Sequence, residues 1–224
     1  MAARDSARTE RRPDVGDEPA PGRSARKHHA ILQAAQTVFL AKGFGGTTMD
    51  EVASLAAVSK QTVYKHFADK RRLFAAIVTG AIDAAETRTH DMVDSLADSD
   101  DLDGDLRQFA RQHVVDVTRP HLLRLRRMVI AEADRFPDLA RTWYAEGPER
   151  AHTTLARQLE ALAGRGLLAI DDPLLAAQHL NWLIIAIPLN KALYDGSDTT
   201  FTRRDLHRYA DEGARVFLAA YAVS

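Results

Sequence analysis

Between Gly43 and Lys70 the chain is punctuated as two very short helices joined by a tight turn, and that spacing leaves few folds open. Thr48-Met49-Asp50-Glu51 has the pattern of a capping box: the Thr48 hydroxyl can accept from the Glu51 amide while Glu51 reaches back. The helix it opens runs to about Ala56. Ser59 is placed to cap a short helix through His66, and Asp69 to cap another that starts at Lys70. Upstream, Ile31, Ala34, Ala35, Val38 and Phe39 recur at helical spacing from Arg26. Gly43 after Lys42 reads as the stop of that helix, because glycine takes the left-handed cap without steric cost.

Val52, Ala53, Val58, Val63 and Phe67 fall where a three-helix head needs its core. Lys60, Gln61, Thr62, Lys65 and His66 are then left toward solvent on the helix after Ser59. An exposed helix face of this kind fits the DNA major groove, where Lys and Gln can read base edges. Thr47, Thr48, Tyr64, His66 and Lys70 suit phosphate oxygens. Ser59, at the turn itself, completes the expected contact set. Charge agrees: residues 26–72 carry net +5, residues 73–224 carry net −6, and Lys27 to Lys70 holds five of the six lysines. A basic patch on an acidic body presents one face to a polyphosphate.

The ordered set Gly43-Phe44-Gly45-Gly46-Thr47-Thr48-Met49-Asp50-Glu51-Val52-Ala53, Ala56-Ala57-Val58-Ser59-Lys60-Gln61-Thr62-Val63-Tyr64-Lys65-His66-Phe67 and Asp69-Lys70 closely resembles the TetR family. The resemblance implies an all-α protein: an N-terminal helix-turn-helix DNA-binding domain followed by a helical ligand-binding and dimerisation domain. One position departs from the pattern. The family often has glycine before the valine of the turn, and here Ala57 stands there. Alanine costs more than glycine at positive φ, so either the turn differs or that φ is not needed.

Three regions are expected: a disordered tail over 1–24, rich in proline and glycine; the DNA-binding domain over 25–72; and the regulatory domain over 73–224. The tail is either passive or ends in an arm whose Arg23, Arg26 and Lys27 reach DNA. Beyond the head the pattern is helical only, over 70–96, 103–118, 121–135, 138–165, 173–193 and 203–222, with Gly147-Pro148 kinking or splitting the fourth. Met128-Val129-Ile130-Ala131-Glu132-Ala133, Arg135-Phe136-Pro137-Asp138-Leu139-Ala140, Gly147-Pro148-Glu149-Arg150, Gly166-Leu167-Leu168 and Asp172-Pro173 resemble the C-terminal domain of the AefR-like subgroup, which implies a repressor with a helical regulatory core.

Helix 173–193 is apolar on every face, so every face must be covered. Leu175, His179, Trp182, Ala186 and Leu189 can meet a second copy, with Leu206, Gly213 and Phe217 in the matching stripe of the last helix. A twofold dimer built so would match a palindromic operator. A ligand pocket could draw on Phe109, His113, Met128, Glu132, Trp143, Tyr144 and Trp182, the tryptophans because each indole N–H needs a partner. The implied function is a repressor released by a small hydrophobic inducer; a regulator without an inducer, an activator or a partner-controlled protein, is the alternative.

The chain has no cysteine, no glycine-rich phosphate loop, no nucleophile elbow and no metal-ligand spacing, so neither an enzyme, a metal nor a cofactor is implied. No apolar run is long enough to span a bilayer and the N-terminus lacks a signal-peptide core, so a cytoplasmic location is expected.

Overall fold

The structure, a computed structural model, describes residues 22–93, 96–196 and 200–223. The expected tail lies outside the described residues up to Pro21. Among the described residues the elements are helical, with a lone antiparallel bridge between Leu168 and Ala222. Helix α1 spans Arg23–Gly46, α2 Met49–Leu55, α3 Lys60–His66 and α4 Lys70–Val93. A single 3-10 turn follows at Leu96–Asp98, then α5 Leu102–Val117, α6 Pro120–Ala131, α7 Pro137–Tyr144, α8 Arg150–Gly164, α9 Pro173–Asp195 and α10 Arg203–Tyr221. The expected all-helical architecture, with a helix-turn-helix head on a helical body, is what forms.

Local chemistry accounts for most of the boundaries. Ser59 Oγ accepts from the Thr62 amide at 3.1 Å, Asp69 from Arg72 at 2.8 Å and Asp172 from Leu175 at 3.0 Å. Each bond satisfies an amide that a helix start leaves unpaired. The expected helix 138–165 is split: the backbone widens into one π turn at Ala145–Glu149, where Pro148 has no N–H to give to an ordinary α turn. The expected helix 121–135 stops at Ala131, with Glu132 at its C-cap. At Gly43 the backbone leaves helical geometry, with a φ of 70°, so the regular helix from Arg23 is interrupted at the expected glycine and a short further turn runs on to Gly46.

Two apolar cores divide the molecule. One lies under the helix-turn-helix and joins Ile31, Phe39, Phe44, Val52, Val63, Phe67 and Phe74. It runs past residue 72 into Ile77, Val78 and Ile82 of α4 and into Leu125, Met128 and Val129 of α6. The other packs α5, α8, α9 and α10 around Leu106, Leu159, Leu180, Ile184 and Phe217. Burying each such side chain stabilises the fold by about 1.5–3 kcal/mol before conformational entropy is subtracted. Arg127 fastens α6 to α9, its Nη1 donating to Ala192 O at 3.0 Å near the C-terminal end of α9. A cation is favoured at that pole of a helix.

Candidate nucleic-acid interface and ligand cavity

Val63 is fully buried on α3 and fixes which way that helix faces. Lys60, Gln61, Tyr64 and Lys65 point to solvent, and Thr62 and His66 are half-buried. Tyr64 is 44% exposed, a large aromatic that core packing does not use. Ser59 and Thr48 are exposed beside this face, each also capping its own helix. Lys60 is already engaged: its Nζ lies 2.7 and 3.0 Å from the two carboxylate oxygens of Asp50, which raises the ammonium pKa. Both groups are exposed, so this pair is weak and can be exchanged for DNA. His66 sits against His28, with ring centroids 5.6 Å apart, and beside Phe67.

Two expected phosphate contacts are used inward instead. Thr47 is 1% exposed and donates its hydroxyl proton to Gly43 O at 2.8 Å, closing the kink of α1. Lys70 donates to Phe44 O and Thr47 O, both at 2.8 Å, and lies 4.7 Å from the centre of the Phe44 ring. Its ammonium thus satisfies carbonyls that the end of α1 leaves unpaired. The capping box is half formed: Thr48 accepts from Glu51 N at 3.2 Å, but the Glu51 carboxylate turns to Lys42 at 2.6 Å. Ala57 does carry the positive φ, 52°, so the turn keeps the glycine-type backbone with an alanine in it.

In the body, a cavity of about 460 Å³ lies between α4, α5, α6, α7, α8 and α9. Trp143, Trp182 and His113 line it, with Ile82, Val129, Ile185 and Leu189. Three expected pocket residues lie elsewhere. Phe109 is behind the wall, its ring stacked on that of His113 at 5.4 Å. Met128 and Glu132 line a separate crevice with Phe44 and Gly45, because they project from the opposite side of α6. The sequence reading missed Arg126, His152 and Asn181, all on the cavity wall. A signal existed: Arg126 interrupts the stripe Leu122, Val129, Ile130 at helical spacing.

Leu175, His179 and Trp182 are exposed on α9 and Ala186 is half-buried beside them, next to exposed Leu174, Leu183 and Ile187. The expected stripe on α10 is turned the other way. Leu206 and Phe217 are buried in the body core, and Gly213 is pressed against the Leu183 backbone, where a Cβ would come within 2.9 Å. These three join α10 to α9 of the same chain and leave Val216 as an exposed apolar residue of α10. No helix among the described residues is long and apolar enough to cross a membrane.

A helix-turn-helix head on a helical body with a cavity is the build of a DNA-binding transcriptional regulator. Residues 31–77 match the pattern described as bacterial regulatory proteins, tetR family, and residues 104–223 the AefR-like transcriptional repressor, C-terminal domain. The chain belongs to the TetR family. It is similar to a TetR-family regulator of Mesorhizobium loti, at 41% identity and a TM-score of 0.86 over 91% of this chain and 100% of that one. The flavonoid-responsive regulator FrrA is 31% identical, with a TM-score of 0.66 over 88% of this chain and 97% of that one. The transcriptional repressor BepR of Brucella suis is 40% identical over 55 residues, 25% of this chain. That match spans 26% of BepR, so the chain covers about a quarter of the length of such curated relatives.

Proposed function

We propose that the protein is a dimeric repressor that binds a palindromic operator through α3 and is released by a small, mostly apolar ligand. One relationship carries this reading. Ile82 and Val129 line the cavity and also belong to the core beneath the helix-turn-helix. A ligand that spreads α4 from α6 therefore acts on the packing that sets the angle of α3. Release is then a shift of population toward a form whose two recognition helices no longer match the half-site spacing.

Gln61, Lys60 and Lys65 are the proposed base-reading residues, with Thr48, Ser59, Thr62, Tyr64 and His66 toward the backbone. Leu175, His179, Trp182 and Ala186 are the proposed dimer face, since α9 leaves Leu174, Leu175, Trp182, Leu183 and Ile187 exposed together. BepR is named a repressor and FrrA flavonoid-responsive, which supports repression and ligand control here. FasR of Mycolicibacterium smegmatis, 40% identical over 53 residues, is named an activator, which keeps the sign of regulation open to test.

Footprinting on the DNA flanking the protein's own gene tests the proposal. A twofold-symmetric protected site is expected, and Gln61→Ala should weaken it by about 1–3 kcal/mol while sparing random DNA. Absence of any protected site, or a monomer in sedimentation at micromolar concentration, would overturn the dimeric operator reading.

A further inference from the structure

The cavity wall is mostly apolar, yet His113 of α5, Arg126 of α6, His152 of α8 and Asn181 of α9 bring polar nitrogen groups to it from four helices. One bond links two of them, His113 Nε2–H donating to Asn181 Oδ1 at 2.8 Å. His152 is 4% exposed, and its Nδ1 has no hydrogen-bond partner. Arg126 makes no hydrogen bond or ion pair with any other described residue, and burial pushes its guanidinium below the usual range. Its charge is felt at His113, which burial, above all, holds below the ordinary histidine range. The carboxylate on the wall, Glu146, is exposed and spoken for by Arg150 at 3.4 Å. The cavity wall therefore carries a half-buried guanidinium and a buried imidazole nitrogen that have no partner among the described residues, while its carboxylate is already paired with Arg150.

We infer that the inducer is a small apolar molecule bearing one anionic oxygen group, a carboxylate or an ionised phenol, held by Arg126 with His152 and Asn181 beside it. This rests on the cavity being the inducer site. The guanidinium fork matches a carboxylate with two parallel bonds, and such charge-assisted bonds are the strong ones away from water. Buried polar atoms need hydrogen-bond partners, and an anionic oxygen of the ligand can accept from His152 Nδ1–H. The tryptophans and Ile185 and Leu189 cover the apolar body of the ligand.

The test uses the full-length protein with the neutral dye N-phenyl-1-naphthylamine as cavity reporter. Biphenyl-4-carboxylate and biphenyl-4-carboxamide, alike in shape and different in charge, compete for it. The acid should displace the dye at least about tenfold more effectively than the amide. Arg126→Gln should bring that ratio close to one, and Arg126→Lys, which keeps the charge, should retain part of it. Unchanged dye affinity in both variants shows that the cavity is intact. 4-Phenyl-2-nitrophenol, ionised at pH 8, distinguishes the sources: competition equal to the acid admits phenols, and weak competition restricts the site to carboxylates. Equal displacement by acid and amide in the wild type overturns the anion assignment while dye binding leaves the cavity as an apolar site. A wild type that takes up neither dye nor acid overturns the cavity reading together with it.

Discussion

The rings of Phe44 and Phe136 meet edge-on, 4.8 Å between centroids and 68° between planes, and so tie the end of α1 to the start of α7. Arg135 lies over both rings, at 5.1 and 5.2 Å. A double-mutant cycle with Phe44→Leu and Phe136→Leu should give a coupling energy of about 0.5–1.5 kcal/mol in urea denaturation. Additive losses would mean that head and body are held by area alone.

Lys70→Ala removes the clamp on Phe44 O and Thr47 O. Stability should fall by about 1–3 kcal/mol, because charge-assisted bonds to carbonyls are lost. Operator affinity should drop with it, yet the salt dependence should keep its slope, since the ammonium faces protein and not phosphate. A slope reduced by about one unit would place Lys70 on the DNA after all.

Asp50→Asn frees Lys60 from its partner. Affinity for DNA should rise severalfold, and the salt dependence should steepen as a released cation meets the duplex. Gel-shift titrations at two salt concentrations decide it; unchanged binding would show that Lys60 plays no part in the complex.

Ala57 holds a φ of 52°, where an L side chain is strained. Ala57→Gly should stabilise the protein by about 0.5–1 kcal/mol in urea denaturation, the relief of strain exceeding the entropy glycine adds to the unfolded chain. Loss of stability would show the turn to be at ease with alanine. At Gly213 the reverse holds: Gly213→Val drives a side chain into Leu183 O, 2.9 Å from the nearest Cβ position, and should cost about 1–3 kcal/mol by forcing α10 off α9.

His113 and His152 are both held below the ordinary histidine range, chiefly by burial. Around His113 stand Asn181, Asp116, His152 and Arg126; Glu149 acts on His152. Well above pH 6.5 both are neutral folded and unfolded, and they leave stability unchanged. Below it the unfolded chain takes up protons first, so stability falls with pH by up to about 1.4 kcal/mol per unit for each histidine until the folded groups titrate. The slope of urea stability between pH 7 and 5 measures this, and His113→Gln with His152→Gln should flatten it. A slope the double variant leaves untouched would assign the loss to other groups.

Features that depend on neighbours three or four residues apart are legible along the chain. The caps at Thr48, Ser59 and Asp69 form because an amide is left unpaired within reach of their oxygens. Val63 and Phe67 are buried and Lys60, Gln61 and Tyr64 exposed because helical spacing alone separates those faces. Periodicity also told that Leu206, Gly213 and Phe217 share a buried face of α10, but nothing local says whether the covering surface belongs to the same chain or a second one. Packing chose the same chain, with Gly213 letting the backbone of α9 approach. Lys70 looked like a free cation because its carbonyl partners lie 26 and 23 residues upstream. Arg126, His152 and Asn181 come from three helices far apart in the sequence, and only tertiary structure could bring their nitrogens to one cavity wall.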